Sequence, residues 1–395
     1  MVMTSRARSS VDQHRFGSSA PFTLGLEEEY MLVDPETLDL AQGADAVLDA
    51  ANVGSPAIAT GHELFQSEIE GQTPICADVP EVGAEIARLR RQLAIAVNGR
   101  DLLLVSSGTH PFALYENQVV TESDRYRGVV EQLQYPARRE LIFGLHVHVG
   151  VPDPEAAIRG LRLVRPHLCE LIALSASSPF WRGIDTGLAS TRQAIFKTFP
   201  RSSTPPAFRN YREFAGYVRV LEETGIIEDY TRIWWDLRPH PRLGTLEVRA
   251  MDAVARADDA VALAAYIQAL VKRAVESPPA PPATALEDAL VRENTWQAVR
   301  HGLDATLVGT RTGATPIRER ILRTLEQLAP DAAELGSEGA LDDVERIVRT
   351  GNGASRQLAH HAETSDLRAV VRAIAEETAD QRLRTEGRAS VAEPR

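Results

Sequence analysis

Glu27 and Glu29 stand two residues apart in residues 22–33, where Phe22, Leu24 and Leu26 alternate with Thr23, Gly25 and Glu27. Period-2 geometry places both carboxylates on one face of a strand, where like charges repel unless something neutralises them. A divalent cation would do so; a solvent-exposed acidic strand fits this segment equally well. Glu68 and Glu70 repeat the spacing on a second strand face, while Glu63 lies an odd number of residues from Glu70 and needs a bend or loop to join them. His146 and His148 share the glycine-flanked face of residues 141–151 with Ile142, Gly144 and Gly150, opposite Leu141, Phe143, Leu145, Val147 and Val149. Two imidazoles on one strand face can begin a zinc hydrolase site, or can pack as hydrogen-bonded core histidines. Glu247 and Arg249 share one side of residues 244–251, a spacing that offers a metal ligand beside a phosphate-gripping fork. Arg192 and Lys197, near Ser190 and Thr191, could hold an anion or lie on a surface loop. Trp234, Trp235, Asp236 and Arg238 precede the last of these strands, with the tryptophans expected in the core. His110 is ambiguous.

These residues need strands to present them and helices to cover the strands. The spacing predicts strands over residues 22–33, 102–105, 141–151 and 244–251, each polar strand having one apolar face. Helices are expected over residues 81–98, 155–175, Tyr211–Glu223 and 258–276, with a loop at 204–209. SPPAPPA at 277–283 reads as a stiff linker, and residues 286–301, 317–328, 341–349 and 355–384 as a helical C-terminal layer. The expected organisation is a loose tail at 1–20, an α+β catalytic domain at 21–276, the linker, helices over 284–384 packed on that domain, and a flexible tail at 385–395. Strands so far apart in sequence argue against a regular βαβ series, and there is no P-loop or dinucleotide fingerprint.

Composition narrows the partners. The 395 residues are 44% hydrophobic and 25% charged, ordinary values for a globular chain. The net charge of -12 has the wrong sign for neutralising nucleic-acid phosphates. Acidity does not exclude ATP, because clustered carboxylates can hold divalent metals that reverse the local field. Lys197 and Lys272 are the only lysines, so nearly all positive charge is arginine. Cys76 and Cys169 read as buried thiols. No run approaches the roughly 18 apolar residues of a membrane span, and the polar N-terminus lacks a secretory pattern, so a cytoplasmic protein without a membrane partner is expected.

FTLGLEEEYMLVD, ELFQSEIEGQTP, GLHVHVG, WWDLRPHPRLG and GTLEVRAMD, in this order over roughly residues 22–252, together resemble the carboxylate-amine ligases related to glutamate-cysteine ligase. The resemblance implies a curved, mainly antiparallel sheet covered by helices, a funnel similar to the catalytic domain of glutamine synthetase. It implies Glu27, Glu29, Glu63, Glu70 and Glu247 as metal ligands and His146 as a metal or phosphate contact, with Arg249 gripping the transferring phosphate and Glu70 and His146 beside it in catalysis. His148 falls where more distant relatives carry asparagine, and joins Arg192, Lys197 and Arg238 as candidate substrate or nucleotide contacts. The sequence departs from the pattern at Thr191 and Phe196, where relatives often carry an aromatic and a tryptophan; that bears on substrate identity more than on reaction type.

The implied reaction is ATP-dependent amide formation from a small carboxylate and a small amine through an acyl phosphate, with Mg²⁺ or Mn²⁺, and glutamate with cysteine is the first pair to consider. The chain could act as a homodimer. A metal-dependent hydrolase built on His146 and His148, and a sensor that binds nucleotide or amino acid without turnover, are the rival readings. The carboxylate-rich inventory favours hard Mg²⁺ over zinc.

Overall fold

The computed structural model describes residues 9–54, 59–278, 281–310 and 313–380. The strands are β1 (Leu24–Val33), β2 (Ala59–His62), β3 (Glu68–Gln72), β4 (Leu103–Val105), β5 (Gly144–Gly150), β6 (Leu237–His240) and β7 (Thr245–Asp252). They form one open antiparallel sheet in the order β6-β7-β5-β1-β3-β2, with β4 paired to β1. The fold is α+β, as the alternating strands imply.

Alternation decides which face of the sheet is covered. Leu24 and Leu26 of β1, Leu145, Val147 and Val149 of β5, and Leu246 and Val248 of β7 enter one apolar cluster with Leu263, Ile267 and Val271. Those three belong to the helix Ala257–Glu276, which is apolar around most of its circumference and correspondingly buried. Ile317, Val344 and Val348 belong to the same cluster, so the C-terminal helices share the core of the sheet. Arg90, on the helix Val79–Asn98, fixes another edge: its guanidinium grips Glu28 at 2.5 and 3.1 Å and donates to the carbonyls of Val254 and Ala255 just beyond β7. Glu28 therefore points away from the face that carries Glu27 and Glu29.

Several expected boundaries differ. Residues 155–175 form two helices, Pro154–Val164 and Leu168–Ser175, because Pro166 has no N–H to give and its ring would clash with the preceding turn. Residues 355–384 are likewise interrupted: Gly353–Thr364 ends at Ser365 with φ 52°, and Asp366 caps a new helix, Leu367–Ala379. The N-terminal tail is shorter than expected, since Val11 and Phe16 are buried, Arg15 N–H donates to the Pro241 carbonyl at 2.9 Å and Gly17 N–H donates to Val151 at 3.0 Å. The centre of the proline-rich linker and the tail beyond residue 380 lie outside the described residues. Among the described residues, no helix is long and apolar enough to cross a membrane.

Candidate active site

Strand register gathers the polar residues. Glu27 lies opposite His146 on one side and Gln72 on the other, Glu29 lies opposite Glu70, and Glu247 lies opposite both His148 and Arg238. Glu63 occupies the connection between β2 and β3, and this bend brings it to Glu29 and Glu70. Three overlapping sets have ligand atoms within 4.8 Å of one another: Glu27, Glu70 and His146; Glu27, His148 and Glu247; and Glu29, Glu63 and Glu70. A register shift between Val248 and Met251 interrupts the β5–β7 pairing at Arg249, where a bulge can re-aim a side chain.

The face is electrostatically divided. On the β7 side, Glu247 accepts from Arg238 Nε and from Arg249 Nη1, each at 2.5 Å. Burial opposes its charge, but Arg238, Arg249 and His148 hold the carboxyl well below the usual carboxylate range. Glu27 is held low in the same way: burial opposes its charge, and His148 and His146 overcome it. On the β3 side, among the described residues, Glu63, Glu68, Glu70 and Glu140 make no ion pair, and the more distant charges of Arg125, Arg192 and Arg249 offset burial only in part. Burial, reinforced by the charge of Glu29, pushes Glu63 up to about 8. Glu70 is raised by burial and by Glu27 and Glu63, Glu68 by burial and then Glu63, and Glu140 by burial and then Glu63 and Glu29.

This donor set fits divalent cations. His146 Nδ1 lies 3.2 Å from Glu27, and donation to that carboxylate would leave the buried, unpartnered Nε2 with a free lone pair. His148 engages Thr245 through Nδ1 at 3.0 Å, and its Nε2 lies 3.4 Å from Glu27 and 3.8 Å from Glu247. The Nε2 of His146, 3.7 Å from Glu29 and without a hydrogen-bond partner, together with the neighbouring carboxyls is what a cation bound by oxygen and nitrogen would satisfy.

A cleft of about 30 Å³ opens beside these residues, lined by Glu29, Glu63, Glu68, Glu140, Arg192 and Arg249. Arg192 reaches it over Gly144, where a Cβ would sit 2.4 Å from the guanidinium; the glycine before the histidines thus admits a protein side chain. The segment holding Arg192 is a buried helix, Thr191–Phe196, capped by Ser190, and not a surface loop. Lys197 follows it, half-buried beside Asp236; burial lowers its pKa against that carboxylate's pull. Arg238 is differently occupied than a nucleotide contact would be: it grips both oxygens of Glu247 and donates to the carbonyls of Thr231 and Ile233. His110 lies outside the site, and Trp235 packs among Phe208, Phe214 and Tyr217.

Glu140 was not singled out from sequence. Strand parity does not reach it, because β5 begins at Gly144 and residues 140–143 are irregular.

The model of glutamate-cysteine ligase family 2 matches residues 23–373. A Rubrobacter xylanophilus protein provisionally named glutamate–cysteine ligase 2-3 is 43% identical over 368 residues, covering 92% of this chain and 99% of its own length. A Roseiflexus castenholzii protein provisionally named glutamate–cysteine ligase 2 is 41% identical over 91% of this chain and 95% of its own. Among solved structures, the glutamate–cysteine ligase of Francisella tularensis in complex with AMP shares the fold with a TM-score of 0.68 at 12% identity, over 92% of this chain and 91% of that one. A bifunctional glutathione synthetase from Pasteurella multocida matches with a TM-score of 0.65 at 14% identity, over 91% of this chain and 53% of its own.

Proposed function

The chain belongs to glutamate-cysteine ligase family 2 and is a carboxylate-amine ligase that uses ATP and a divalent cation, and from that premise we propose how its carboxylate face performs the reaction. The supporting observation is that one sheet face joins closely grouped carboxyls and His146 to the Glu247–Arg249 pair.

In the first step an oxygen of the substrate carboxylate attacks the γ-phosphorus of ATP, the bond to the β,γ-bridging oxygen breaks, and ADP leaves with that electron pair. The product is an acyl phosphate. In the second step the amine nitrogen attacks the acyl carbon, inorganic phosphate leaves, and the nitrogen loses a proton to give the amide. Phosphoryl transfer of this kind depends chiefly on positioning and charge stabilisation. Glu27, Glu29, Glu63, Glu70, His146 and Glu247 would hold the cations, which would supply positive charge to stabilise the transferring phosphoryl group.

Arg249 grips Glu247 when no phosphate is present, and in the reaction it transfers its fork to the γ-phosphoryl group. That exchange frees a lone pair on Glu247, which Arg238 continues to hold in place from behind. Arg238 is thus a positioning residue. Arg192, in the cleft, and Lys197, beside Asp236, suit the anionic groups of substrate or nucleotide, and His148, whose Nε2 lies between Glu27 and Glu247, completes the β5 side.

Glutamate as the activated carboxylate and cysteine as the amine are the first substrates on this reading, and the cytoplasm, where ATP is supplied and buried thiols such as Cys76 and Cys169 stay reduced, is its compartment. A coupled assay of ADP release tests it: turnover should require Mg²⁺ or Mn²⁺, a carboxylate and an amine together. Failure of every carboxylate and amine pair to stimulate ATP turnover, with cleavage of a hydrolase substrate in the absence of nucleotide, would replace this reading by a hydrolase built on His146 and His148.

A further inference from the structure

Period 2 would put Met251 on the same face of β7 as Glu247 and Arg249, yet Met251 lies in the apolar cluster with Leu246 and Val248. The reversal is a bulge. Val248 lies opposite Val147 and Met251 opposite Leu145, so Arg249 and Ala250 together face the single position of His146. A bulge bends its strand and re-aims a side chain, and the side chain that leaves this one toward the cleft is Arg249.

Two successive residues of the helix Thr191–Phe196 donate to the backbone of the bulge. Arg192 Nη1 reaches the Arg249 carbonyl at 3.4 Å, and Gln193 Nε2 reaches the Ala250 carbonyl at 2.6 Å. Gln193 is fully buried, and its Nε2 also lies 3.3 Å from Asp236 Oδ1. Turning the amide over would set Oε1 against two acceptors, so the donor is fixed on the Ala250 carbonyl. Asp236 holds the bulge from β6, its carbonyl accepting from Arg249 N–H at 2.8 Å.

The helix is in turn tied to the end of the same strand. Asp252, the buried last residue of β7, accepts from Ser190 Oγ at 2.7 Å and from Ser178 Oγ at 2.6 Å. Those hydroxyls accept from Gln193 N–H at 3.3 Å and Arg192 N–H at 3.1 Å. Hydrogen bonds therefore run from Asp252 into the start of the helix and return to β7 at Ala250 through the Gln193 side chain. Gln193 does not line the cleft, so its route to the reaction is through the strand.

From this closed path we infer that Gln193 is a positioning residue: by holding the Ala250 carbonyl it fixes the bulge that aims Arg249. The part given to Arg249 rests on the ligase reading; the hold on the bulge does not.

Gln193→Met keeps an unbranched side chain without the donor, and Gln193→Asn keeps the amide on a stem one methylene too short. In either variant kcat per folded molecule should fall about 10- to 100-fold, with KM for ATP within about twofold of the parent's, as when a group acting in the transition state is displaced. In an Arg249→Lys background, where the fork is already lost, the same substitution should lower kcat by less than about twofold. Deuterium exchange read by mass spectrometry should quicken across residues 248–252 and not in β1. A role in packing alone would lower the melting temperature while sparing kcat per folded molecule, or would lower kcat by the same factor in both backgrounds. Either result overturns the inference, as does exchange that quickens evenly through the sheet. A parent that turns over no carboxylate and amine pair overturns the ligase reading instead, and the exchange comparison then decides by itself whether Gln193 holds the bulge.

Discussion

Arg249 Nη1 donates to Glu247 Oε1 at 2.5 Å across two positions of one strand, while Arg238 holds the other oxygen at the same distance. The fork proposed to grip phosphate and the carboxylate proposed to hold metal are therefore one another's partners in this structure. Lysine at position 249 keeps the charge but loses the fork. Arg249→Lys is expected to reduce kcat by an amount corresponding to about 2–4 kcal/mol, with little change in nucleotide affinity, because the interaction is strongest in the transition state. Near-normal kcat with a lowered melting temperature would show that Arg249 serves only to pair Glu247.

The divided electrostatics separate the acids by their response to glutamine. Glu63→Gln or Glu70→Gln removes a carboxyl whose ionisation is opposed by burial and neighbouring acids, so the metal-free protein should become more stable. Glu247→Gln deprives the buried Arg238 and the largely buried Arg249 of their counter-charge and should destabilise it, by about 3–5 kcal/mol. Both classes should lose turnover and should gain less stability on adding Mg²⁺. Thermal denaturation with and without Mg²⁺ makes the comparison, and equal shifts in the two classes would contradict the division.

Glu28, between the two site glutamates, has a structural role. Arg90→Met leaves its buried carboxylate without the guanidinium and should cost about 3–5 kcal/mol in chemical denaturation. The kcat per folded molecule should be retained, since Glu28 faces away from the cleft; a selective loss of kcat would place Arg90 in the catalytic machinery.

His110 provides an acid-sensitive point away from the carboxylate face. Its Nδ1 accepts from Ala113 N–H at 3.0 Å and its Nε2 donates to the Leu38 carbonyl at 3.0 Å, so both nitrogens are occupied in the neutral ring. Burial lowers its pKa from 6.5 to about 4. Below pH 6.5 the unfolded chain takes up the proton first, so stability falls as pH drops from about 6.5 to 4, by about 3 kcal/mol in all. Above pH 6.5 this residue contributes no slope. Proton titration of the ring by NMR checks the sign: protonation near pH 6.5 in the folded protein would contradict it.

Much of the site was legible because strand parity is strict. Glu27 with Glu29, His146 with His148, and Glu247 with Arg249 followed from period 2, and the bend needed at Glu63 is the β2–β3 connection. Glu140 lies in irregular chain before β5, where strand parity does not apply. The occupation of Arg238 was less visible, since it depends on which residue of the neighbouring strand lies opposite. The approach of Arg192 to Gly144 joins segments that no local pattern relates. The missed helix breaks at Pro166 and Ser365 had local causes, a proline and an Asp366 cap, that helical periodicity alone concealed.

Tracing oxygen from substrate carboxylate to phosphate bears most directly on the central claim. With ¹⁸O in the glutamate side-chain carboxylate, and cysteine, ATP and Mg²⁺ present, an acyl-phosphate route transfers one ¹⁸O into inorganic phosphate for each amide formed. Mass spectrometry of that phosphate should show the label in step with ADP release. Amide formation with unlabelled phosphate would contradict carboxylate attack on the γ-phosphorus and the role given to Arg249.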